Sequence, residues 1–177
     1  DGIGYDAGEY HITVNISDPG NGQLVAMVTM YRPGTGNTTT AVFTNAYSVE
    51  PITVTLVGSK RYINSVTNAP MTMTDGMFAF LVMEGDSLVA TGSNLADGTI
   101  KFSPIRYTKA GEHTYTVVED PGNAGGITYD AKEFTVKVTV VDNGNGTLTA
   151  NVDYNGTPVA FENKYTHASA QVTLNGN

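Results

Sequence analysis

Lys60, Glu119 and Asn163 bring an amine, a carboxyl and a carboxamide to strand faces that are otherwise apolar. Alternate residues of a strand share a face. Counting by two from Ile52 puts Val54, Leu56, Gly58, Lys60 and Tyr62 together, with Thr53, Thr55, Val57, Ser59 and Arg61 opposite. If the sheet continues to Tyr62, Lys60 points inward. In the same way Asn163 shares a face with Val159, Phe161 and Tyr165, and Glu119 with Tyr115 and Val117. Asn45 repeats the pattern in Ala41, Phe43, Asn45, Tyr47. An unpaired buried charge costs several kcal/mol, or shifts its pKa until the group is neutral. Taken singly, each side chain reads first as a strand end curling out to water. Four such residues at inward positions argue for a common purpose.

Other chemistries find few residues to work with. The sequence has no cysteine, so disulfides and thiolate chemistry are excluded. His11, His113 and His167 show no metal-ligand spacing and read as ordinary surface or strand residues. There is no Ser/His/Asp spacing and no phosphate-cradling glycine loop before a helix. A glycosidase-type carboxylate pair stays open at this level, because Asp and Glu are scattered throughout. The Asn/Gly-rich turn at 142–146 invites comparison with a calcium loop, but it lacks spaced carboxylates and a closing bidentate Glu. No cofactor and no metal are expected.

The elements that would position these residues are strands. Val, Ile, Thr, Tyr and Phe dominate the periodic segments, and Gly and Asn cluster between them. Strands are predicted at 52–58, 77–83, 99–105, 112–119, 132–141, 147–154 and 159–165. Turns at 18–22 and 142–146 carry the Asn/Gly chemistry of tight hairpins. Residues 62–76 read as a turn or loop crossing, and no segment has a sustained helical period. Seven or so regularly spaced strands favour an all-β sandwich.

The sequence also repeats itself. GIGYDAGEYHITVNISDPGNGQLVAMV, from Gly2, matches GITYDAKEFTVKVTVVDNGNGTLTANV, from Gly126. VFTNAY ending at Tyr47 matches AFENKY ending at Tyr165, and TVTLVGS after Ile52 matches QVTLNGN at the end. Asn45 and Asn163 stand 118 residues apart, as do Leu56 and Leu174. That period exceeds a solenoid unit and suits a whole sandwich. Residues 1–48 are therefore expected to be the C-terminal strands of a preceding repeat, 49–166 a complete repeat, and 167–177 the first strand of a following one. The whole reads as part of a longer tandem array.

Across 177 residues, 40 % hydrophobic content is enough for a packed core. A formal net charge of −8 argues against nucleic acid and against an anionic membrane surface. No apolar run is long enough to span a bilayer, and no secretion signal opens the sequence, as expected of a soluble, mature or excised segment.

Four stretches together resemble the isopeptide-linkage domains of streptococcal-type major pilins and related Gram-positive surface repeats. They are VTLVGSK near the start of the complete repeat, DGTIKFSPIRYTKAGEHTYTVVE in its middle, GITYDAKEFTVKVTVVDNGNGTLTA after that, and AFENKY at its close. The resemblance implies an Ig-like (collagen-adhesin B-type) β-sandwich. It matches Lys60 to the first-strand lysine, Glu119 to the glutamate of the YTVxE segment and Asn163 to the last-strand asparagine. Asn45 matches the crosslinking asparagine of the partial repeat.

The residue types suit that assignment. An amine attacks a carboxamide only when unprotonated, a state that an apolar site favours. A carboxyl in the same surroundings can carry a proton, polarise the Asn163 carbonyl and shuttle protons as ammonia leaves. Such a reaction runs once and consumes its own side chains, so no enzyme is expected. The implied function is a structural repeat of an extracellular pilus shaft or adhesin stalk, whose partners are neighbouring repeats or subunits of the same fibre. The alternative is an adhesive module binding host surface ligands through its loops. The Met-rich stretch 71–77 is the one unusual loop, and methionine there serves more often as a gap-filler.

Overall fold

A computed structural model describes residues 2–168 and 171–173, and every regular element among them is a strand. The chain forms two compact units, one running to Val49 and the other made chiefly of the residues from Glu50 onward.

The first unit is small. It contains β1 (Ile3–Gly4), β2 (His11–Ser17), β3 (Val25–Arg32), β4 (Gly36–Thr38) and β5 (Ala46–Tyr47). β2 and β3 pair antiparallel from His11↔Tyr31 to Ser17↔Val25 around the predicted 18–22 turn. β4 adds to β3, and β1 pairs with β5. Ile12, Val14 and Ile16 line one side of β2, yet each is more than half exposed. This sheet has an apolar face with nothing in its own unit to cover it.

The second unit holds β6 (Ile52–Val54), β7 (Val57–Asn64), β8 (Ala79–Glu84), β9 (Ser87–Asn94), β10 (Thr99–Phe102), β11 (Ile105–Tyr107), β12 (Gly111–Asp120), β13 (Ile127–Thr128), β14 (Glu133–Asp142), β15 (Leu148–Asp153) and β16 (Ala160–Tyr165). Nine of these form one sheet, in the order β13-β16-β7-β10-β9-β8-β12-β14-β15, while β6 pairs with β11. Every pairing is antiparallel except β7 with β16, the early and late strands of the unit, which run parallel. The sheet curls over on itself. Phe161 of β16 lies 5.1 Å from the Phe80 ring of β8 and 4.9 Å from the Phe134 ring of β14, although none of these strands are neighbours. The result is an all-β, Ig-like β-sandwich. Phe80, Val82, Tyr115, Val117, Val136, Val138 and Phe161 fill its interior.

The predicted strands differ from the observed ones in instructive places. The 52–58 segment breaks after Val54, and β7 resumes at Val57 and runs on to Asn64, so the sheet does extend past Tyr62. Residues 99–105 divide at Pro104, which has no N–H to give a ladder. β9 has no predicted counterpart. Its sequence, SLVATGSN, lacks clean alternation, and Gly92 is there because the Phe102 ring packs on bare backbone. A Cβ at Gly92 would fall 2.6 Å from that ring. The two-residue β13 was likewise not anticipated. The following-repeat strand expected at 167–177 falls mostly outside the described residues.

Candidate functional site: a buried amine, carboxyl and carboxamide

Three elements carry the site. Lys60 is the fourth residue of β7, and the burial of Leu56, Lys60 and Tyr62 follows the strand period. Its backbone is gripped from outside the strand, where its N–H donates to the Gly98 carbonyl at 2.6 Å. Gly98 has φ +88°, and a Cβ there would fall 2.5 Å from the Lys60 carbonyl oxygen, so only glycine fits. Asn163 sits on β16, whose parallel register sets Phe161 opposite Lys60 and Asn163 opposite Tyr62. Glu119 lies near the end of β12, opposite Phe80 of β8, and reaches from there to the β7–β16 pair.

The three side chains meet. Lys60 Nζ donates to Glu119 Oε2 at 2.6 Å, and Asn163 Nδ2 donates to Glu119 Oε1 at 2.6 Å. One carboxyl group therefore holds both the amine and the carboxamide. Lys60, Glu119 and Asn163 are 2 %, 5 % and 0 % exposed. Lys60 Nζ also lies 4.8 Å from the centre of the Phe78 ring, 5.8 Å from Phe80 and 5.9 Å from Phe161. Removal of the ammonium from water lowers the Lys60 pKa below its ordinary 10.5, against the opposing pull of Glu119. A depressed pKa favours the neutral form of an amine, the only form that can act as a nucleophile.

Asn163 is fixed by a residue that sequence reasoning did not single out. The Asp130 N–H donates to Asn163 Oδ1 at 2.8 Å. Because an N–H can face only the oxygen of a carboxamide, this contact also fixes which end of Asn163 meets Glu119. The sequence reading had Glu119 polarise the Asn163 carbonyl. Instead the carboxyl faces the nitrogen, the atom that would leave as ammonia. The available signal for Asp130 was the repeated Gly-Ile-x-Tyr-Asp motif, visible in the self-match but not assigned a role. Gly98 was missed as well.

Asn94 is a further buried polar residue, with a structural explanation. Its Oδ1 accepts the Phe78 N–H at 2.7 Å, and its Nδ2 donates to the Thr74 and Leu95 carbonyls. It secures the loop leading into β8. The 71–77 stretch is stitched to β7 in part through the Met71 N–H and the Tyr62 carbonyl, 2.8 Å apart. His11 lies on β2, His113 pairs with Glu84 beside Tyr107 and Tyr115, and His167 packs on Tyr165. Among the described residues no three His, Cys, Asp or Glu side chains cluster as metal ligands.

Asn45 differs from expectation. It is exposed rather than inward, just ahead of β5. The first unit has no counterparts of β7, β8 and β12 to cover it. Asn45 Oδ1 nevertheless accepts the Asp6 N–H at 3.1 Å, as Asn163 does from Asp130.

An Ig-like sandwich enclosing an amine, a carboxyl and a carboxamide is the class that fold and site define. A family model described as FctA, the Spy0128-like isopeptide-containing domain, matches residues 1–48 and 55–166. The chain belongs to this family, a pilin-type structural family of the cell surface. No curated protein matches it.

Proposed function

We propose that the second unit locks itself with an intramolecular Lys60–Asn163 isopeptide bond, and that the chain serves as a load-bearing repeat of a pilus shaft or adhesin stalk. The observation that carries this reading is the single buried carboxyl, Glu119, with Lys60 Nζ on one oxygen and Asn163 Nδ2 on the other, each at 2.6 Å. The neutral Lys60 amine attacks Asn163 Cγ and forms a C–N bond. Glu119 takes the proton that Nζ gives up and delivers it to Nδ2, which leaves as ammonia. An amine and a primary amide become a secondary amide and ammonia, with no outside reactant. Fixing the partners on adjacent strands of one packed sandwich supplies the proximity advantage, which can reach roughly 7–11 kcal/mol.

Residues 1–48 would be the closing strands of a preceding repeat, with Asn45 its crosslinking asparagine. The internal repeat, the separate family match at 1–48 and the uncovered apolar face of β2 support that assignment. Residues 167–177 would open a following repeat by the same sequence match. Neighbouring repeats or subunits are then the partners, and the cell surface is the location.

Peptide mapping tests the proposal. A digest of the purified chain should yield the Lys60 and Asn163 peptides joined through their side chains, less one ammonia. Recovery of both as separate, unmodified peptides would overturn it.

A further inference from the structure

The reaction proposed above creates negative charge on Asn163 Oδ1 when the amine adds to Cγ. Glu119 does not face that oxygen. The Asp130 main-chain N–H does, at 2.8 Å. Resting on the crosslinking reading, we infer that the Asp130 N–H is the oxyanion donor for the addition step, and that the Asp130 carboxylate is the clamp that aims it.

The clamp is visible on both sides of the N–H. Asp130 Oδ2 accepts the Glu162 N–H at 2.8 Å, on the residue just before Asn163. Asp130 Oδ1 accepts the Lys132 N–H at 3.1 Å, closing the loop back on itself. The side chain thus ties the 130–132 turn to β16 at the point where the carboxamide projects. These contacts depress the Asp130 pKa despite its partial burial, so the carboxylate stays ionised and accepts from both amides.

The first unit builds the same cradle independently. There the Asp6 N–H donates to Asn45 Oδ1 at 3.1 Å, Asp6 Oδ2 accepts the Thr44 N–H at 2.9 Å, and Asp6 Oδ1 accepts the Gly8 N–H at 2.7 Å. All three bonds correspond by position to those of Asp130, although no lysine–glutamate pair accompanies Asn45 in that unit. The cradle therefore does not arise from packing around Lys60 and Glu119. It is a local property of the Tyr-Asp-Ala motif and the asparagine strand, and it presents the carboxamide carbonyl to a fixed N–H before any nucleophile is present. A donor already aimed where charge will develop needs no reorganisation during reaction.

During addition the Nζ–Cγ bond forms, and the Cγ–Oδ1 π electrons move onto Oδ1, held by the Asp130 N–H. Collapse restores the carbonyl and breaks the Cγ–Nδ2 bond, with the proton for ammonia supplied by Glu119. Asp130 exchanges no proton.

The test removes the N–H alone. Asp130 is replaced by its α-hydroxy analogue in a semisynthetic chain, so that an ester oxygen stands where the N–H was. This chain, and wild type assembled the same way, are refolded from denaturant, and ammonia loss is followed by intact mass. The ester chain should regain the wild-type circular dichroism spectrum but crosslink about 100-fold more slowly, the usual scale for one lost oxyanion donor. Asp130→Ala keeps the N–H but loses the clamp, and should slow the reaction roughly tenfold or more through misplacement, with part of the loss restored in Asp130→Asn. In the side-chain variants the alkaline limb of the pH–rate profile should move only toward lower pH, because the lost Asp130 charge helps hold the Lys60 proton. An ester chain that folds and crosslinks at the wild-type rate would overturn the donor role. Should the ester chain fail to fold, Asp130→Ala and Asp130→Asn decide, and an unchanged rate in Asp130→Ala overturns the inference. If semisynthetic wild type loses no ammonia, the underlying crosslinking proposal fails instead, so the two failures are distinguishable.

Discussion

At the scale of single residues the site is governed by the expense of burying Lys60. Lys60 is 2 % exposed, and three aromatic rings lie near its amine. Burial lowers its pKa while Glu119 pulls the other way, and burial prevails. A consequence for stability follows in the unreacted protein, obtained as Asn163→Ala. Between the depressed folded value and 10.5, the unfolded chain holds a lysine proton that the folded chain has released. Unfolding then takes up protons, so stability rises as pH increases through that window and is lowest beneath it. Urea melts of Asn163→Ala at stepped alkaline pH should show this rise, and adding Lys60→Met should flatten it. The rate should behave differently. The reactive arrangement, neutral amine with protonated carboxyl, has the same proton count as the ion pair. The rate should therefore stay level while the pair keeps its shared proton and fall at alkaline pH, with that limb below pH 10.5. Stopped-pH refolding with mass detection measures it.

At the scale of elements, three features aim the site: the parallel β7–β16 pairing, the end of β12, and the Gly98 turn against the Lys60 backbone. Gly98→Ala should displace Lys60, since the new Cβ would meet the Lys60 carbonyl and the backbone φ of +88° would be strained. A loss of about 1–3 kcal/mol in urea midpoint analysis is expected, together with slower crosslinking. Much of this arrangement was legible in the sequence. Alternation alone placed Lys60, Glu119 and Asn163 inward, because each lies on a strand whose apolar residues keep period two. Asn45 obeys the same alternation and is nonetheless exposed, since period two identifies a face but not what covers it. β9 escaped notice because Gly92 serves the Phe102 ring, a tertiary need that leaves no pattern along the strand. Gly98 meets Lys60 through its carbonyl, which leaves no side-chain signature, and Asp130 meets Asn163 through a main-chain N–H, so the repeated Tyr-Asp motif marked the residue without showing what it contacts.

For the molecule as a whole, a bond between β7 and β16 would join an early strand of the unit to its last long one. Force entering ahead of β7 and leaving after β16 would then pass along the covalent link, leaving the intervening strands unloaded. The link would also close a loop of about 100 residues, and by analogy with disulfides could contribute about 4–5 kcal/mol by restricting the unfolded chain. Wild type should exceed Asn163→Ala in chemical denaturation by an amount of that order. Hydrogen exchange should separate the two units. β12 and β14, with Val117, Val136 and Val138 fully buried, should be strongly protected. β2 and β3, whose apolar side chains are largely exposed, should exchange early.

Intact mass spectrometry of the folded chain beside its Glu119→Ala variant tests the central claim most directly. The account predicts that wild type weighs one ammonia less than its sequence, while the variant carries its full mass. A wild-type chain at full sequence mass, folded and with Lys60 free to be modified after unfolding, would contradict it.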